Sequence, residues 1–246
     1  MTKPLADRIA LITGASRGIG YATAIALAKA GAHVIATART VGGLEELDDA
    51  IQAVGGSATL VPLDLRDTDG IVRLSAALTE RYQRLDILVG NGGVLGPTSP
   101  FGHIEPKAWE EVMAVNVTAN FFLISAMDPL LRASDAGRVV FVTSGAATNQ
   151  RAYRGPYSIS KAALNAMART YAAETISTNV RVNLLNPGPT RTGMRAALMP
   201  GEDPMTLKTA DTVAEQIVAM CLPSYQETGK LYDCDQGRLL TIQAPA

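Results

Sequence analysis

Three side chains able to exchange protons or to bind a substrate oxygen are spaced to meet at one place. Tyr157 and Lys161 are four residues apart in the segment GPYSISK, which places them on one face of a helix, one turn from each other. Ser144 ends an apolar, β-branched run that precedes them. Open α/β sheets bind ligands at the carboxyl ends of their strands. The sequence therefore groups a phenol, an ammonium and a hydroxyl where proton transfer to a ligand could occur.

A glycine-rich turn follows the first apolar run of the chain. Residues 13–20 read TGASRGIG, and a helical pattern begins within this segment. Glycines here would let the backbone approach a pyrophosphate, which the N–H groups at the positive end of the helix would stabilise. The spacing is G-x-x-x-G-x-G rather than the general G-x-G-x-x-G, so an ordinary glycine-rich strand–helix turn is the alternative. The predicted nucleotide contacts are Gly14, Ser16, Arg17, Gly18, Ile19 and Gly20.

The ends of the second and third apolar runs predict which dinucleotide binds. NAD sites usually place a carboxylate after the second strand for the ribose 2′-hydroxyl, but this chain has Ala38 and then Arg39. Together with Arg17 of the glycine turn, Arg39 suits a 2′-phosphate, so we predict NADP(H), with NAD less favoured. Arg39 could instead be a solvated loop charge. Asp64, followed by Leu65, could accept from the adenine amino group or cap the next helix.

The segments that position these groups alternate between strands and helices. Nearly continuous apolar runs, typical of strands buried on both faces of a parallel sheet, occupy residues 8–13, 33–38, 58–63, 86–89, 138–143, 180–185 and 230–233. Helical spacing occupies 19–30, 41–54, 67–84 and about 106–132. This alternation predicts an α/β fold, a doubly wound and mostly parallel Rossmann-like sheet of about seven strands with helices on both faces.

Length and composition fit one dinucleotide-binding and catalytic domain, residues 1–246, with a substrate loop at about 188–209. Hydrophobic residues make up 47% of the chain and charged residues 18%, which excludes a disordered class. The net charge of −1 provides no basic field for nucleic acid or an anionic membrane. Cys221 and Cys234 lack metal-ligand spacing, so we expect no metal site and a reducing, cytoplasmic location.

Taken together, TGASRGIG, Asn116, Ser144, YSISK and the NPG segment at 186–188 resemble the short-chain dehydrogenase/reductase family in order and spacing, from about residue 8 to residue 192. The resemblance implies that Tyr157 is the general acid in reduction and the general base in oxidation, and that Ser144 hydrogen-bonds the substrate carbonyl. It further implies that Lys161 lowers the pKa of Tyr157 and holds the nicotinamide ribose, and that Asn116 positions a water linking Lys161 to solvent.

Electrostatics is compatible with those implied roles. A free phenol has a pKa near 10, and moving it toward 7 requires about 4 kcal/mol. One ammonium about 4 Å away supplies roughly that at an effective dielectric near 20. The resemblance also implies that the backbone at Asn91 and Gly92 meets the adenosine ribose, and that Pro187 and Gly188 bind the cofactor. It further implies that Thr190 or Thr192, with Thr192 the better match, contacts the nicotinamide carboxamide.

The chain departs from the family pattern at two places. Residues 90–93 read GNGG where the family has N-N-A-G, and we expect Gly90 to leave weaker packing between strands. Residues 233–237 read DCDQG in place of a common D-G-G ending, which puts the usual packing of the tail in doubt.

The resemblance implies an NADP(H)-dependent enzyme that moves a hydride between nicotinamide and a carbonyl or secondary alcohol, with a 3-oxoacyl group or another ketone as candidate substrate. The alternatives are a catalytically silent NADP-binding regulator on the same fold, and a dehydratase or epimerase of the extended relatives. The resemblance also implies a homodimer or homotetramer paired through the long helix and the Tyr157 helix.

The substrate pocket is predicted to combine apolar and basic side chains. Met194, Leu198 and Met199 would supply an adaptable apolar lining. An acidic or thioester-linked substrate could meet positive charge near the mouth from the segment RAYR at 151–154 (Arg151, Tyr153, Arg154) and from Arg195. The alternative is that these arginines are solvated or structural.

Overall fold

An eight-stranded sheet forms the centre of the computed structural model, which describes residues 3–149 and 151–241. Its order is β3-β2-β1-β4-β5-β6-β7-β8. The strands are β1 (Ile9–Thr13), β2 (His33–Ala38), β3 (Ser57–Pro62), β4 (Ile87–Gly90), β5 (Arg138–Val142), β6 (Arg181–Asn186), β7 (Leu231–Asp233) and β8 (Arg238–Leu240). Strands β1 to β7 are parallel and β8 is antiparallel to β7. The predicted α/β architecture is confirmed, with eight strands rather than seven.

The eighth strand escaped prediction because it is short and half-exposed. Arg238–Leu240 spans three residues, and Gly237, in the turn before it, has φ +62°. A run of three residues carries too little periodicity to be distinguished from a turn. The other strands lie within one residue of their predicted bounds. Most of them are buried on both sheet faces, which leaves a nearly continuous apolar run in the sequence.

Helices cover both faces of the sheet. They are α1 (Gly18–Lys29), α2 (Val41–Ala53), α3 (Thr68–Tyr82), α4 (Pro106–Met113), α5 (Ala119–Ala133), α6 (Ala146–Asn149), α7 (Gly155–Glu174), α8 (Gly193–Leu198) and α9 (Ala210–Cys221). Side chains of α1, α2 and α9 pack on one face, and those of α3, α5 and α7 pack on the other. Two apolar cores therefore fix the sheet between two helical layers.

The strand order reverses next to β1, which pairs with β2 on one side and β4 on the other. The connections after β1 and β4 leave on opposite faces of the sheet and open a crevice between them. Such a switch point is where doubly wound sheets bind ligands. The fold therefore places the glycine turn at the edge where Ser144 follows β5.

Helices α4 and α5 join through a π-helical turn, Ala114–Thr118, to form one long helix, Pro106–Ala133. Within the described residues, this is the one helix long and apolar enough to cross a membrane by length and composition alone. Length and composition alone do not distinguish a membrane-spanning helix from a core helix of a soluble protein. Here one face carries core residues, including Leu123, Met127 and Leu131.

The expectation of weak packing around Gly90 is wrong. A Cβ at Gly90 would lie 2.4 Å from Cδ1 of Phe141 on β5 and 2.9 Å from Oδ1 of Asn120. Phe141 is fully buried. Its ring occupies the space that a side chain at Gly90 would fill, so the small residue accommodates a large neighbour on the adjacent strand.

Candidate active site

A cavity of about 620 Å³ lies along the carboxyl edge of the sheet. Most of the predicted cofactor and catalytic residues line it: Gly14, Ser16, Arg17, Gly18, Ile19, Arg39, Asp64, Leu65, Asn91, Gly92, Ser144, Tyr157, Lys161, Pro187, Gly188, Thr190 and Thr192. Gly20 and Asn116 are absent from the lining and lie behind it, buried. The fold thus brings residues from six separate loops into one cleft.

The glycine turn is held against the loop after β4 by close backbone packing. Gly14 has φ +67°, and a Cβ there would lie 2.8 Å from Cα of Gly92. The Asn91 side-chain amide donates to the carbonyls of Thr13 at 2.9 Å and Gly14 at 3.2 Å. A Cβ at Gly20 would lie 2.3 Å from the Gly14 carbonyl oxygen. Asn91 therefore anchors this turn with its side chain, a role that sequence reasoning did not identify.

Two unpaired arginines mark the far end of the cavity. Arg17 and Arg39 are exposed, and neither forms an ion pair with any described residue. Asp64, beside them, forms an ion pair with Arg66 at 2.6 Å and accepts from its backbone N–H at 2.9 Å. The hydrogen bond from Arg66 lowers the pKa of Asp64, and the Arg39 charge adds a smaller effect.

Asp64 does not cap the following helix. The cap of α3 is Asp67, whose carboxylate accepts from the Gly70 N–H at 2.8 Å. The helix-cap alternative for Asp64 is therefore wrong, and its carboxylate remains on the cavity wall.

Ser144 and Tyr157 meet at the centre of the cavity. Ser144 follows β5 and accepts from the Ala146 N–H at 3.2 Å, while Tyr157 lies in the first turn of α7. The Ser144 hydroxyl lies close enough to Tyr157 to act on its pKa. Burial raises the pKa of Tyr157, and the Ser144 hydroxyl and the positive Arg154 oppose this rise. Desolvation of the phenolate outweighs both of these effects. The lowering of the Tyr157 pKa by Lys161 stays a prediction.

Lys161 is buried beside this pair. Its Nζ donates to the Val142 carbonyl at 2.8 Å and lies 5.8 Å from the centroid of the Tyr157 ring. Burial lowers the pKa of Lys161 to about 8. Lys161 is therefore close to losing its proton in the range where enzymes work, which the spacing YxxxK alone could not reveal.

Asn116 lies in the π-helical turn, fully buried. Its side chain accepts from the Val94 N–H at 2.8 Å and donates to the Val94 carbonyl at 2.9 Å and to Ser160 Oγ at 3.0 Å. The backbone carbonyl of Asn116 accepts from the Asn120 side-chain amide at 2.9 Å. Asn116 thus ties the loop after β4 to the catalytic helix, and its water-positioning role stays a prediction. A π-turn inside an α-helix is frequent at functional sites.

Asn186 connects the catalytic turn to the loop after β6. Its Oδ1 accepts from the N–H groups of Gly145 at 3.0 Å and Gly188 at 3.1 Å, and its Nδ2 donates to Asp233 at 3.0 Å. The carboxylate of Asp233 also accepts from the backbone N–H groups of Asp235 and Gln236. The divergent DCDQG segment is therefore an ordered turn anchored on Asn186.

The segment from Pro187 to Thr209 carries two short helices, α8 and the 3₁₀ turn Pro204–Thr206. The Thr190 hydroxyl donates to the Gly188 carbonyl at 3.2 Å, and Thr192 caps α8 by accepting from the Arg195 N–H at 3.2 Å. The methyl carbon of Thr192 would lie 3.4 Å from a Cβ at Gly18. Both threonines therefore face the cleft, with Thr192 over the glycine turn.

Lys208, near the end of this segment, makes two contacts absent from the sequence predictions. Lys208 Nζ forms an ion pair with Asp235 and donates to the Pro187 carbonyl at 3.0 Å. Gly188 has φ +64°, and a Cβ there would lie 2.2 Å from the Asp235 carboxylate. The sequence did show an additional carboxylate, Asp235, in DCDQG, but its partner Lys208 is distant in sequence and could not be identified from it.

The basic residues predicted at the cavity mouth behave differently from one another. Arg195 is paired with Glu202, which raises the pKa of Arg195, so its contribution of free positive charge was overestimated. Tyr153 is outside the cavity lining and 61% exposed. Arg151 and Arg154 line the cavity, as do Met194 and Leu198, while Met199 contacts Arg154 from outside the lining.

Comparison with known proteins gives a consistent set of relatives. A family model for short chain dehydrogenases matches residues 8–203. The uncharacterized oxidoreductase YciK of Escherichia coli K12 is 40% identical over 238 residues, covering 95% of this chain and 94% of that protein. The rhamnolipids biosynthesis 3-oxoacyl-[acyl-carrier-protein] reductase of Pseudomonas aeruginosa is 40% identical over 194 residues, covering 75% and 73%.

Solved structures of similar chains include cofactor complexes. A short chain dehydrogenase from Shigella flexneri 2a strain 301, complexed with NADP, superposes with a TM-score of 0.91 at 37% identity, covering 96% of this chain and 100% of that one. A short chain dehydrogenase from E. coli CFT073, complexed with NADPH, gives 0.88 at 37% identity, covering 95% and 98%.

Proposed function

This chain belongs to the short-chain dehydrogenase family, and from that premise we propose that it is an NADP(H)-dependent oxidoreductase acting on a carbonyl or secondary alcohol. The observation that carries the proposal is that Ser144, Tyr157 and Lys161 line one cleft, which begins at the glycine turn, with Lys161 Nζ 5.8 Å from the centroid of the Tyr157 ring. A silent nucleotide-binding regulator would have no need of this proton-transferring set.

The cleft fits NADP in shape and charge. The glycine turn leaves no room for Cβ atoms at Gly14 and presents the N-terminus of α1 to a pyrophosphate. Arg17 and Arg39 are free of carboxylate partners among the described residues and would bind a ribose 2′-phosphate, while Ala38 supplies no acid for a free 2′-hydroxyl. The NADP and NADPH complexes of similar chains support the same cofactor.

The residues of this chain would handle the proton of the reaction. When bound, reduced nicotinamide supplies the hydride that the carbonyl carbon accepts. Ser144 and Tyr157 orient the carbonyl oxygen by hydrogen bonds, and Tyr157 donates its Oη proton to that oxygen. Because burial raises the pKa of Tyr157, the phenol holds its proton near neutral pH until the carbonyl oxygen accepts it. The ammonium of Lys161, 5.8 Å from the ring centroid, would stabilise the phenolate left behind. In the oxidation direction, Tyr157 would accept the proton from the alcohol oxygen.

The direct test is NADPH oxidation by the purified protein with a panel of ketones that includes 3-oxoacyl thioesters, a candidate class suggested by the P. aeruginosa relative. We expect turnover with at least one ketone, and a loss of at least about 100-fold in kcat for Tyr157→Phe, because general acid catalysis contributes roughly that much or more. The variant should bind NADPH with unchanged affinity. A variant as active as the wild type would refute the assignment of Tyr157.

We also propose a cytoplasmic homodimer or homotetramer without nucleic-acid or membrane partners. Phe121 on α5 is 54% exposed and Ile159 on α7 is 38% exposed, which suits pairing of these two helices between subunits. Light scattering of the wild type against Phe121→Glu tests this, since a monomeric wild type would contradict it.

A further inference from the structure

The cavity carries positive charge that no described carboxylate neutralises, although the chain as a whole has a net charge of −1. Its two acidic lining residues are both paired, Asp64 with Arg66 and Asp235 with Lys208. Two groups of arginines remain unpaired, one at each end of the cleft. The first, Arg17 with Arg39, is matched by the 2′-phosphate of the proposed cofactor.

The second group is Arg151 and Arg154, at the catalytic end. Both line the cavity and neither forms an ion pair with a described residue. Arg195, which lines the same mouth, is neutralised by Glu202. Arg195 is therefore not available to an anionic ligand, whereas the guanidinium groups of Arg151 and Arg154 are free of carboxylate partners among the described residues. The cofactor's phosphates belong to the opposite end, so they leave this positive charge unmatched.

Arg154 is the better placed of the two. It is the residue before α7, three positions ahead of Tyr157, and it is half-buried, whereas Arg151 is exposed. The one hydrogen bond that its guanidinium makes within the described residues is to the sulfur of Met199, at 4.0 Å. A thioether is a weak acceptor, and a guanidinium has five N–H donors. The Arg154 charge also reaches Tyr157, where it opposes the rise in the phenol pKa.

We propose that Arg154 binds a carboxylate carried by the substrate itself, so that the enzyme acts on oxo acids whose carbonyl is held by Ser144 and Tyr157. A guanidinium binds a carboxylate in bidentate fashion, which fixes both distance and orientation. Arg151 at the rim adds a second, screened charge. An acidic carrier protein would instead meet exposed basic residues outside the cleft. The proposal rests on the proposed carbonyl reduction and names its substrate class.

Binding can be measured without turnover by loading the protein with NADP⁺, which cannot reduce a ketone. We would titrate this complex calorimetrically with acetoacetate, 4-oxopentanoate and 5-oxohexanoate, each against its methyl ester. The chain lengths vary the distance between carbonyl and carboxylate. The variants are Arg154→Gln, Arg154→Lys and, as the matched control, Arg169→Gln, which removes a charge from the same helix outside the cavity lining. NADPH oxidation is followed in parallel with the same compounds.

We expect at least one oxo acid to bind about tenfold or more tightly than its ester, as one charge-assisted bidentate contact predicts. Arg154→Gln should abolish that preference and leave ester and NADP⁺ binding within twofold, which also shows that the variant is folded. Arg154→Lys should restore part of the preference, and Arg169→Gln should keep all of it.

Three results separate this inference from the proposed function. Equal binding of acids and esters, or a preference that survives Arg154→Gln, overturns the carboxylate site even if ketones are reduced. Arg154-dependent binding of an oxo acid without NADPH oxidation by any ketone keeps the site and refutes the reductase function.

Discussion

Replacing Lys161 by methionine should separate stability from catalysis. Lys161 is 4% exposed, and burial lowers its pKa from 10.5 to about 8. A shift of this size corresponds to about 3 kcal/mol that the folded state loses by keeping the buried group charged. The hydrogen bond from Nζ to the Val142 carbonyl returns roughly 1.5–3 kcal/mol. Near pH 7, the apolar variant should therefore be about as stable as the wild type, or more so.

The pH dependence of the free energy of unfolding gives a more specific prediction for Lys161. Between about pH 8 and 10.5 the unfolded chain holds the Lys161 proton and the folded chain releases it, so wild-type stability rises with pH through this window. From pH 7 to pH 10 the wild type should gain about 2–3 kcal/mol relative to Lys161→Met, because every other titration is common to both proteins.

Urea unfolding followed by fluorescence of the single tryptophan, Trp109, measures this difference at fixed protein concentration and pH 7, 8, 9 and 10. The same variant should reduce ketones at least about 100-fold more slowly. A difference in unfolding free energy that stays flat from pH 7 to pH 10 would show that Lys161 is not desolvated as the structure indicates.

Two glycine substitutions test packing and the loop after β6. Gly90→Ala should lower the free energy of unfolding by about 1–3 kcal/mol, because its Cβ would meet the buried Phe141 ring at 2.4 Å. The control is Gly42→Ala on α2, where a Cβ would meet nothing within 4 Å, so this variant should be neutral or stabilising. Equal melting temperatures of the two variants would contradict this. Gly188→Ala should raise the KM for NADPH several-fold, because residue 188 has φ +64° and a Cβ there would lie 2.2 Å from the Asp235 carboxylate. Gly201→Ala in the same segment should leave the KM unchanged. Steady-state kinetics of both variants tests this prediction.

The α/β architecture could be predicted from the sequence because buried parallel strands leave apolar runs and helices leave a periodic pattern that ends at glycine. The four helical stretches whose bounds were predicted agree with the structure to within two residues, as for α3, predicted at 67–84 and observed at Thr68–Tyr82. Helix α9 was not predicted. The strand β8 was missed because three half-exposed residues carry no such signal. The gathering of the site residues also followed from one rule, the carboxyl-edge position of ligands in doubly wound sheets.

What the sequence could not supply were interactions between residues far apart in the chain. The packing of Phe141 over Gly90, the neutralisation of Arg195 by Glu202 and the clamp of Lys208 on Asp235 all depend on which side chains meet. The pKa values of Tyr157 and Lys161 depend on burial, which a four-residue spacing does not encode. The electrostatic expectation for the catalytic pair left out burial, which raises the pKa of Tyr157.

The central claim is that the cleft binds NADP(H) through Arg17 and Arg39, and parallel fluorescence titrations with NADPH and NADH test it most directly. We predict tighter binding of NADPH by the wild type. Arg39→Ala should weaken NADPH binding at least about tenfold, the value of one charge-assisted contact, without changing NADH binding. Arg73→Ala, an exposed arginine on α3, is the control and should change neither. Equal binding of the two cofactors, or an Arg39→Ala variant that keeps its preference for NADPH, would contradict the account.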